Sequence, residues 1–366
     1  MKTHLRKSLE TEGQSAPALE YRGAETTARF ADPQTEWTAL QNACAVYDLG
    51  FRAKLLLAGR DRTRWLNGMV SNNIRDLAAG HGVYAFVLTP QGRILGDLYA
   101  YNLGESLVLD TDQNQTEKLL ATFKRYIIMD KVELSEMNEQ LTAIGVAGPK
   151  SLEILKAAGI DAPELTALQF AKLQISGLEC TLVRGDLPYE SYEMWIAPEH
   201  VKQLWDALVA AGAVPVGAEI FEMQRVAAGI PLYGVDIRER DLPQETEQLR
   251  ALNFKKGCYI GQEIVERIRA RGNVHRKFTG FAAEGSAELA AGAKVMVEGS
   301  EAGEITSATS LLPVGDSKRA LGYIRREFAT PGREVAIGGS KAKVVELPRM
   351  EQTVVEPKTV LATVRL

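Results

Sequence analysis

A predicted β-hairpin contains the first two candidate functional residues, a tyrosine and an aspartate. Residues 83–88 and 93–101 alternate as two strands around Thr-Pro-Gln-Gly at 89–92, a sequence typical of tight turns. If the two ends of the turn lie opposite each other, Tyr84 lies directly across from Asp97, and a bulge in the turn would shift this pairing by one place. A carboxylate among Leu and Tyr side chains is costly to bury unpaired and often has a raised pKa. Asp97 is therefore a candidate proton acceptor, and the alternative is an edge-strand aspartate that faces water.

Glu193 and Arg225 form the second candidate pair. Glu193 lies in a strand predicted over 192–196, and Arg225 lies inside an apolar helix predicted over 218–228. A cation in such a helix requires a carboxylate or an anionic ligand as its partner. The residues alone leave three alternatives open: ligand binding, a structural ion pair, and an arginine on the solvent face of the helix.

The segment 253–263 has the sequence Asn-Phe-Lys-Lys-Gly-Cys-Tyr-Ile-Gly-Gln-Glu and contains the third candidate, Cys258. Gly257 and Gly261 permit a close approach of the backbone to a ligand. The two lysines before the cysteine, and a helix predicted to start near Gly261, favour a thiolate. Cys258 is thus a candidate reactive thiol or soft metal ligand, and the alternative is an inert buried cysteine.

A basic cluster follows at the end of the same predicted helix and comprises Arg267, Arg269, Arg271, His275, Arg276 and Lys277. Such a cluster could bind phosphate, a polyglutamate tail or RNA. It could equally be a solvated helix end, where basic residues suit the helix dipole. Direct binding of RNA is disfavoured, because the protein is acidic overall and aromatic residues do not interleave with the arginines.

The composition is that of an ordinary globular protein, with 45% hydrophobic and 25% charged residues among 366. A formal net charge of −4 provides no global attraction to nucleic acid or anionic membrane. Cys44, Cys180 and Cys258 match no zinc motif, and the first two are expected to be inert. Without a disulfide framework a reducing cytoplasm is expected. The first residues lack the apolar stretch of a secretory signal, and no run of about 18 apolar residues predicts a membrane span.

The sequence divides into four predicted segments, three of which contain the candidate residues or the barrel that follows them. Residues 1–35 are polar and weakly patterned, which predicts a weakly ordered lead-in. Residues 36–140 form a mixed unit of strands and helices that contains the hairpin, and residues 141–276 form a second mixed unit that contains the other candidates. Residues 277–366 consist of short strands punctuated by glycine, which predicts a C-terminal β-barrel. The predicted fold class is therefore α+β.

Residues 256–263, Lys-Gly-Cys-Tyr-Ile-Gly-Gln-Glu, match the signature of YgfZ-type proteins. The wider chain, from about Cys44 to Pro348, resembles the glycine-cleavage T-protein, an aminomethyltransferase. The stretches that carry this likeness are Val46-Tyr47-Asp48-Leu49, Leu95-Gly96-Asp97-Leu98, Tyr192-Glu193 and the ten residues at 225–234. The sequence therefore resembles the YgfZ-type branch of the T-protein superfamily.

The resemblance implies a three-domain cloverleaf, with two mixed α/β domains and a small C-terminal β-barrel around a central folate channel. The ligand that it implies is tetrahydrofolate or a one-carbon derivative of tetrahydrofolate. Asp97 matches the family's aspartate that faces the reactive nitrogens of the folate, and Tyr84 matches its folate-contacting tyrosine. Glu193 and Arg225 match the residues that hold the pterin end and the glutamate side of the ligand. Tyr233 belongs to the same expected folate-binding set.

The signature motif supplies a second expected functional group, which comprises Lys256, Gly257, Cys258, Tyr259, Gly261, Gln262 and Glu263. Cys258 joins Asp97 as a candidate catalytic residue. No metal-ligand set is expected, although the resemblance allows a contact between this thiol and an iron–sulfur cluster.

Two functions stay open. The first is a tetrahydrofolate-binding accessory protein that supports the synthesis or repair of iron–sulfur enzymes, with an indirect effect on tRNA modification. The second is a T-protein-like aminomethyltransferase or demethylase that transfers a one-carbon unit to tetrahydrofolate. The retained Asp97 favours the second. Gly96 in place of a family acid, Asp186 in place of a family tyrosine and the added Cys258 motif disfavour it. A cytoplasmic monomer without direct contact to nucleic acid or membrane is expected, with folate and iron–sulfur client enzymes as its partners.

Overall fold

The computed structural model describes residues 1–14, 16–272, 274–284, 289–309, 311 and 317–348. The α-helices are His4–Thr11 (α1), Pro33–Asn42 (α2), Arg62–Met69 (α3), Thr116–Tyr126 (α4), Ser151–Ala157 (α5), Val201–Ala210 (α6), Ala218–Ala227 (α7) and Gln262–Arg271 (α8). The strands are Ala18–Tyr21 (β1), Ala24–Thr27 (β2), Ala45–Asp48 (β3), Arg52–Ala58 (β4), Gly82–Leu88 (β5), Ile94–Asn102 (β6), Leu107–Asp112 (β7), Glu133–Glu136 (β8), Thr142–Ala147 (β9), Phe170–Ile175 (β10), Leu178–Arg184 (β11), Ser191–Ile196 (β12), Val214–Pro215 (β13), Arg276–Glu284 (β14), Lys294–Val297 (β15), Ser300–Ala308 (β16), Ser317–Arg325 (β17), Glu334–Ile337 (β18) and Ser340–Val345 (β19). None of the helices in these ranges has the length and apolar character that crossing a membrane requires.

The first sheet has five antiparallel strands in the order β5-β6-β7-β4-β8. One face is covered by α3 and α4, whose side chains Trp65, Leu66 and Phe123 are buried against the sheet. Successive side chains of a strand point to opposite faces. Since Val83 and Ala85 pack under the helices, Tyr84 belongs to the opposite face, away from α3 and α4.

The second sheet has six strands in the order β10-β11-β12-β9-β3-β13, all antiparallel except for the parallel pair of β13 with β3. α5 and α6 cover one of its faces with buried residues that include Leu155, Leu204 and Trp205. Strand β3 comes from the predicted 36–140 unit, yet it pairs with β9 of the predicted 141–276 unit. The structure therefore differs from a division at residue 140, because strand pairing depends on tertiary contacts that local patterns do not contain.

The C-terminal strands close into a six-stranded antiparallel barrel in the order β14-β17-β16-β15-β18-β19. Its core is formed by small and branched apolar side chains such as Val295, Ile305 and Ile337. The predicted α+β class with a C-terminal β-barrel is thus confirmed. The last part of the predicted 277–366 segment, residues 349–366, lies outside the described residues.

Residues 1–35, for which the sequence predicted weak order, form regular secondary structure. They contain α1, the β1–β2 hairpin and the start of α2. Leu5 and Leu9 of α1 are buried in the same core as the second sheet. The hydroxyl of Thr3 accepts a hydrogen bond from the backbone N–H of Arg6 and donates to Asp48 Oδ2 at 2.5 Å. The segment is ordered by these contacts with distant residues, which explains why its own polar sequence gave no signal.

The β5–β6 hairpin differs from the predicted register. Tyr84 pairs with Tyr99, and Asp97 pairs with Phe86. The register shifts where Leu95 is inserted as a bulge on β6, a feature that adds one unpaired residue to a strand. Tyr84 and Asp97 are consequently diagonal neighbours on the same face and not a direct cross-strand pair.

The cysteine motif packs against the tip of this hairpin, although the sequence assigned it to the second unit. Phe86 and Leu88 of β5 share a core with Tyr259 and Val265. Gly261 has φ +83°, and a Cβ atom at this position would lie 2.6 Å from the carbonyl oxygen of Thr89 in the turn. Only glycine adopts this backbone conformation and this approach without strain.

We expect the substitution Gly261→Ala to destabilise the protein by about 2 kcal/mol, because the new methyl group is strained by φ and collides with the hairpin turn. Gly257→Ala in the same motif is the matched control, since its Cβ would meet no atom within 4 Å. Urea unfolding followed by circular dichroism measures both variants. Equal loss of stability in the two variants would contradict this account of the motif glycines.

Candidate active site

A cavity of about 110 Å³ lies where the first sheet, the second sheet and α7 meet. Its polar lining is mixed in charge and comprises Arg22, Arg52, Arg225 and Arg250 together with Asp97, Asp112, Asp186 and Glu193. Aromatic side chains, among them Tyr84, Tyr99 and Phe221, form much of the remaining wall. Buried charges require partners or a ligand, so the hydrogen bonds of each charged group decide what it can still bind.

Asp97 is held by two side-chain donors. The hydroxyl of Tyr84 donates to Asp97 Oδ2 at 2.6 Å, and Nε2 of Gln115 donates to Oδ1 at 2.8 Å. The Gln115 side chain also accepts a hydrogen bond from the backbone N–H of Asp97 at 3.0 Å. Asp97 therefore has one fixed orientation, and the edge-strand alternative is replaced by a hydrogen-bonded position in the cavity wall.

Burial raises the pKa of Asp97, and the nearby charge of Asp112 raises it further, while the bonds from Tyr84 and Gln115 lower it. Burial and the negative charge of Asp97 raise the pKa of Tyr84 well above its usual value. Tyr84 therefore keeps its proton at neutral pH and donates a hydrogen bond to the carboxylate. A positioned carboxylate with a raised pKa is the arrangement expected of a general base.

Glu193 lines the same cavity but has no contact with Arg225. One of its oxygens accepts a hydrogen bond from Nε1 of Trp195 at 3.1 Å. Burial raises the pKa of Glu193, and the neighbouring carboxylate of Asp110 raises it further. Its carboxylate retains lone pairs for a ligand that presents N–H donors.

Arg225 is a structural residue in this arrangement, and its predicted role in ligand binding is not supported by its contacts. All five N–H groups of its guanidinium donate within the protein, to both carboxylate oxygens of Glu222, to Asp236 Oδ2, to the carbonyl of Ile230 and to the hydroxyl of Ser307. Ser307 belongs to β16, so the arginine fastens α7 to the barrel. The structural ion pair, left open by the sequence, is the arrangement found.

Tyr233 also lines the cavity, with a hydroxyl that is already engaged. It donates to the carbonyl oxygen of Leu95 at 2.5 Å and accepts from Nζ of Lys118 at 2.6 Å. The carbonyl belongs to the bulge residue of β6, so Tyr233 stabilises the irregular register that brings Asp97 beside Tyr84. The ring of Tyr233 and one lone pair of its hydroxyl remain for a ligand.

Asp186 and Arg250 form an ion pair in the cavity wall that the sequence did not predict. The two side chains form a buried salt bridge, and the hydroxyl of Tyr99 lies 3.3 Å from Asp186 Oδ1. The guanidinium carbon of Arg250 lies 4.2 Å from the centre of the Tyr84 ring, within the range of a cation–π contact. The one available signal was Asp186 at a position where the resembled family has a tyrosine.

The cysteine motif lies outside the cavity and is anchored by a lysine. The buried ammonium of Lys256 donates to the carbonyl oxygens of Asn67, Val70 and Asn72 at 2.6, 2.7 and 2.7 Å. Burial lowers the pKa of Lys256 to about 7, so the ammonium is less stable here than in water, and the three carbonyl oxygens are the acceptors that offset part of this cost. Cys258 is exposed and does not line the cavity.

The remaining motif residues differ in their exposure to solvent, and several residues of the basic cluster pair with carboxylates. Tyr259 is buried, Gln262 begins α8, and Glu263 is exposed and pairs with Arg267. The cluster residues Arg269, Arg276 and Lys277 also pair with carboxylates, those of Glu266, Asp241 and Glu247. These partners reduce the positive charge that the cluster could offer to phosphate or RNA.

Comparisons with known proteins agree with the fold. The sequence profile of the family described as the GCVT N-terminal domain matches residues 8–256. The chain is 29% identical over 341 residues to an aminomethyltransferase of Rubrobacter xylanophilus, a match that covers 91% of this chain and 90% of that protein. It is 26% identical over 343 residues to an aminomethyltransferase of Halothermothrix orenii, with coverage of 91% and 96%.

Among solved structures, the glycine cleavage system aminomethyltransferase T from Bartonella henselae superimposes with a TM-score of 0.85. The superposition covers 96% of this chain and 98% of that chain at 20% sequence identity. At this identity the likeness establishes the shared fold.

We expect Lys256→Met to destabilise the protein by about 2 kcal/mol, because it leaves three buried carbonyl oxygens without their donor. Lys255→Met is the matched control, since that neighbouring side chain is exposed and its replacement should change stability by less than about 0.5 kcal/mol. Chemical unfolding of both variants measures the difference. A neutral Lys256→Met variant would show that the motif is held by other contacts.

Proposed function

The chain belongs to the family of the GCVT N-terminal domain, and we propose that it transfers a one-carbon unit to tetrahydrofolate bound in the cavity. The unit would come from an aminomethyl group or a methylamine. The names of the two relatives that match along most of this chain support this reaction class over a purely accessory role.

The observation that carries the proposal is the hydrogen-bonded pair of Tyr84 and Asp97 in the cavity wall. In transfer from an aminomethyl-lipoyl carrier, two N–C bonds to the folate form while the C–S bond to the lipoyl group and the C–N bond to ammonia break. The step needs a group that binds an N–H of the folate, accepts its proton and passes it to the departing thiolate or amine. Asp97 has the raised pKa for this task, and two donors fix the direction of its lone pairs. Tyr84 stabilises the ionised form until the proton arrives.

Glu193 supplies a second contact with the same ligand. The amino-pyrimidine edge of a pterin presents adjacent N–H donors, and a carboxylate accepts such a pair with both oxygens. The enclosed volume of about 110 Å³ is smaller than the roughly 300–1,000 Å³ of pockets that enclose a whole drug-sized ligand. The cavity thus suits the pterin end, with the rest of the folate extending toward its mouth.

We expect Asp97→Asn to lower the rate of methylenetetrahydrofolate formation from an aminomethyl-lipoyl carrier by about 10²–10⁴-fold, the range for loss of a general base. The fold should survive, because the raised pKa means that ionised Asp97 is less stable in the folded protein than in the unfolded chain. Wild-type turnover should fall on its acid side at a pH above about 4, the ordinary pKa of an aspartate.

Asp206→Asn is the control for this experiment, because Asp206 is exposed and pairs with Lys202 on the same helix. Full turnover in Asp97→Asn would remove Asp97 from the reaction. Loss of the folded state in that variant would contradict the stated effect of burial on its carboxylate.

An accessory role in iron–sulfur metabolism is the second candidate function, and the exposure of Cys258 favours it. Burial raises the pKa of Cys44 to about 11 and that of Cys180 to about 12, so both stay protonated thiols at neutral pH. Cys258 is accessible to a large partner and belongs to the eight-residue signature of the YgfZ-type branch. In this role the folate site and the thiol would act at separate surfaces.

We expect Cys258→Ser to leave one-carbon transfer by the purified protein unchanged, because the thiol does not line the cavity. If the accessory role exists, a strain carrying only this variant loses iron–sulfur enzyme activity under oxidative stress, and the wild-type gene restores it. Normal iron–sulfur enzyme activity in that strain would eliminate the thiol from such a role.

A further inference from the structure

The tip of the β1–β2 hairpin brings an arginine into the cavity. Tyr21 pairs with Ala24, so the turn consists of Arg22 and Gly23 alone, with φ +52° and +93°. Two positive φ values define a type I′ turn, in which Asn-Gly is the preferred pair. A bulky side chain at the first position is disfavoured by its own backbone, so the turn gains nothing locally from arginine.

The position of this turn is fixed by its contacts with Asn114, which follows β7. The next residue along the chain binds Asp97. The backbone N–H of Asn114 donates to the carbonyl oxygen of Arg22 at 3.0 Å. A Cβ atom on Gly23 would lie 2.5 Å from the Asn114 nitrogen. Gln115, the next residue, donates to Asp97. Arg22 therefore has a defined place relative to the proposed reactive carboxylate.

Aromatic rings cradle the guanidinium of Arg22. Its central carbon lies 4.8 Å from the ring centre of Tyr21, 5.3 Å from that of Phe51 and 5.8 Å from that of Phe221. Stacked contacts of this kind hold the plane of an arginine and leave its N–H edges for hydrogen bonds. The side chain is only 12% exposed, so those edges have few water contacts.

The hydrogen bonds of Arg22 are few compared with those of the other cavity arginines. Its one side-chain hydrogen bond to a described residue is a long one, from Nη1 to Asp112 Oδ1 at 3.5 Å. Its buried Nε has no partner among the described residues. Asp112 also accepts a shorter hydrogen bond, at 2.6 Å, from Arg52, so Arg22 shares this carboxylate with a second arginine. Arg225, in contrast, has all five donors occupied within the protein.

We infer that Arg22 is an anion-recognition residue of the cavity that binds a carboxylate. The inference rests on the proposed function and adds a substrate feature to it. A buried guanidinium with unused N–H groups matches the two oxygens of a carboxylate, which it binds by paired charge-assisted hydrogen bonds. That carboxylate belongs either to the glutamate of the folate or to a one-carbon donor that is itself an amino acid.

The variant Arg22→Asn tests the inference without a folding defect, because Asn-Gly is the preferred type I′ pair. Thermal unfolding should still show one cooperative transition. Arg22→Gln is a second variant that keeps part of the side-chain stem, in case Asn disturbs the aromatic cradle. Arg60→Asn is the matched control, since the Arg60 side chain is 72% exposed.

Calorimetric titration with two pairs of probes identifies the source of the carboxylate. The first pair is tetrahydrofolate and 6-methyltetrahydropterin, which lacks any carboxylate. The second pair is N-methylglycine and methylamine, added to protein that is saturated with tetrahydrofolate. In either pair, Arg22→Asn should weaken binding of the carboxylate-bearing probe by roughly 10–100-fold, as expected for loss of a charged hydrogen-bond partner.

The pattern of weakened binding distinguishes the two sources of the carboxylate. Weaker binding of tetrahydrofolate with unchanged binding of the pterin assigns Arg22 to the folate glutamate, and weaker binding of N-methylglycine alone assigns it to the donor. Unchanged affinities in both pairs, or an equal loss for the carboxylate-free probes, would overturn the inference. Failure of the wild-type protein to bind either pterin would instead refute the proposed function, and the inference with it, before any variant is compared.

Discussion

The Lys256 side chain, with its three hydrogen bonds, is the group on which the geometry of the cavity depends. It joins the cysteine motif to the loop 67–72 through three carbonyl acceptors. From the same loop, Nδ2 of Asn72 donates to the carbonyl oxygens of Tyr84 and Arg250 at 2.8 Å each. One buried cation thus ties together the strand that carries Tyr84 and the segment that carries Arg250. This arrangement gives the signature motif a structural role that does not require the thiol.

The charges around the cavity divide into those that hold the fold and those that remain for a ligand. Arg225 fastens α7 to the barrel and has no donor to spare, and Arg250 is held above Tyr84 by Asp186. Asp97 and Arg22 keep hydrogen-bonding capacity toward the cavity. The site therefore combines a carboxylate of raised pKa with a cation of low hydrogen-bond occupancy, which suits a ligand that has both N–H groups and a carboxylate.

Sequence patterns predicted the α+β class, the C-terminal barrel and the closeness of Tyr84 to Asp97. They gave the wrong register for the hairpin, because the bulge is stabilised by Tyr233, a residue far away in the chain. The sequence did not predict that Arg22 lines the cavity. Its significance comes from a hairpin tip that meets Asn114 and three aromatic rings, and nothing in the polar N-terminal sequence signals those contacts.

We propose that the cavity beside Tyr84 and Asp97 binds the pterin end of tetrahydrofolate. A crystal structure of the protein with tetrahydrofolate would show where the pterin lies. We expect electron density for the pterin in this cavity, with a folate nitrogen within hydrogen-bond distance of the Asp97 carboxylate and the amino-pyrimidine edge on Glu193. Pterin density at another surface, with the Tyr84–Asp97 cavity left without ligand, would contradict this proposal.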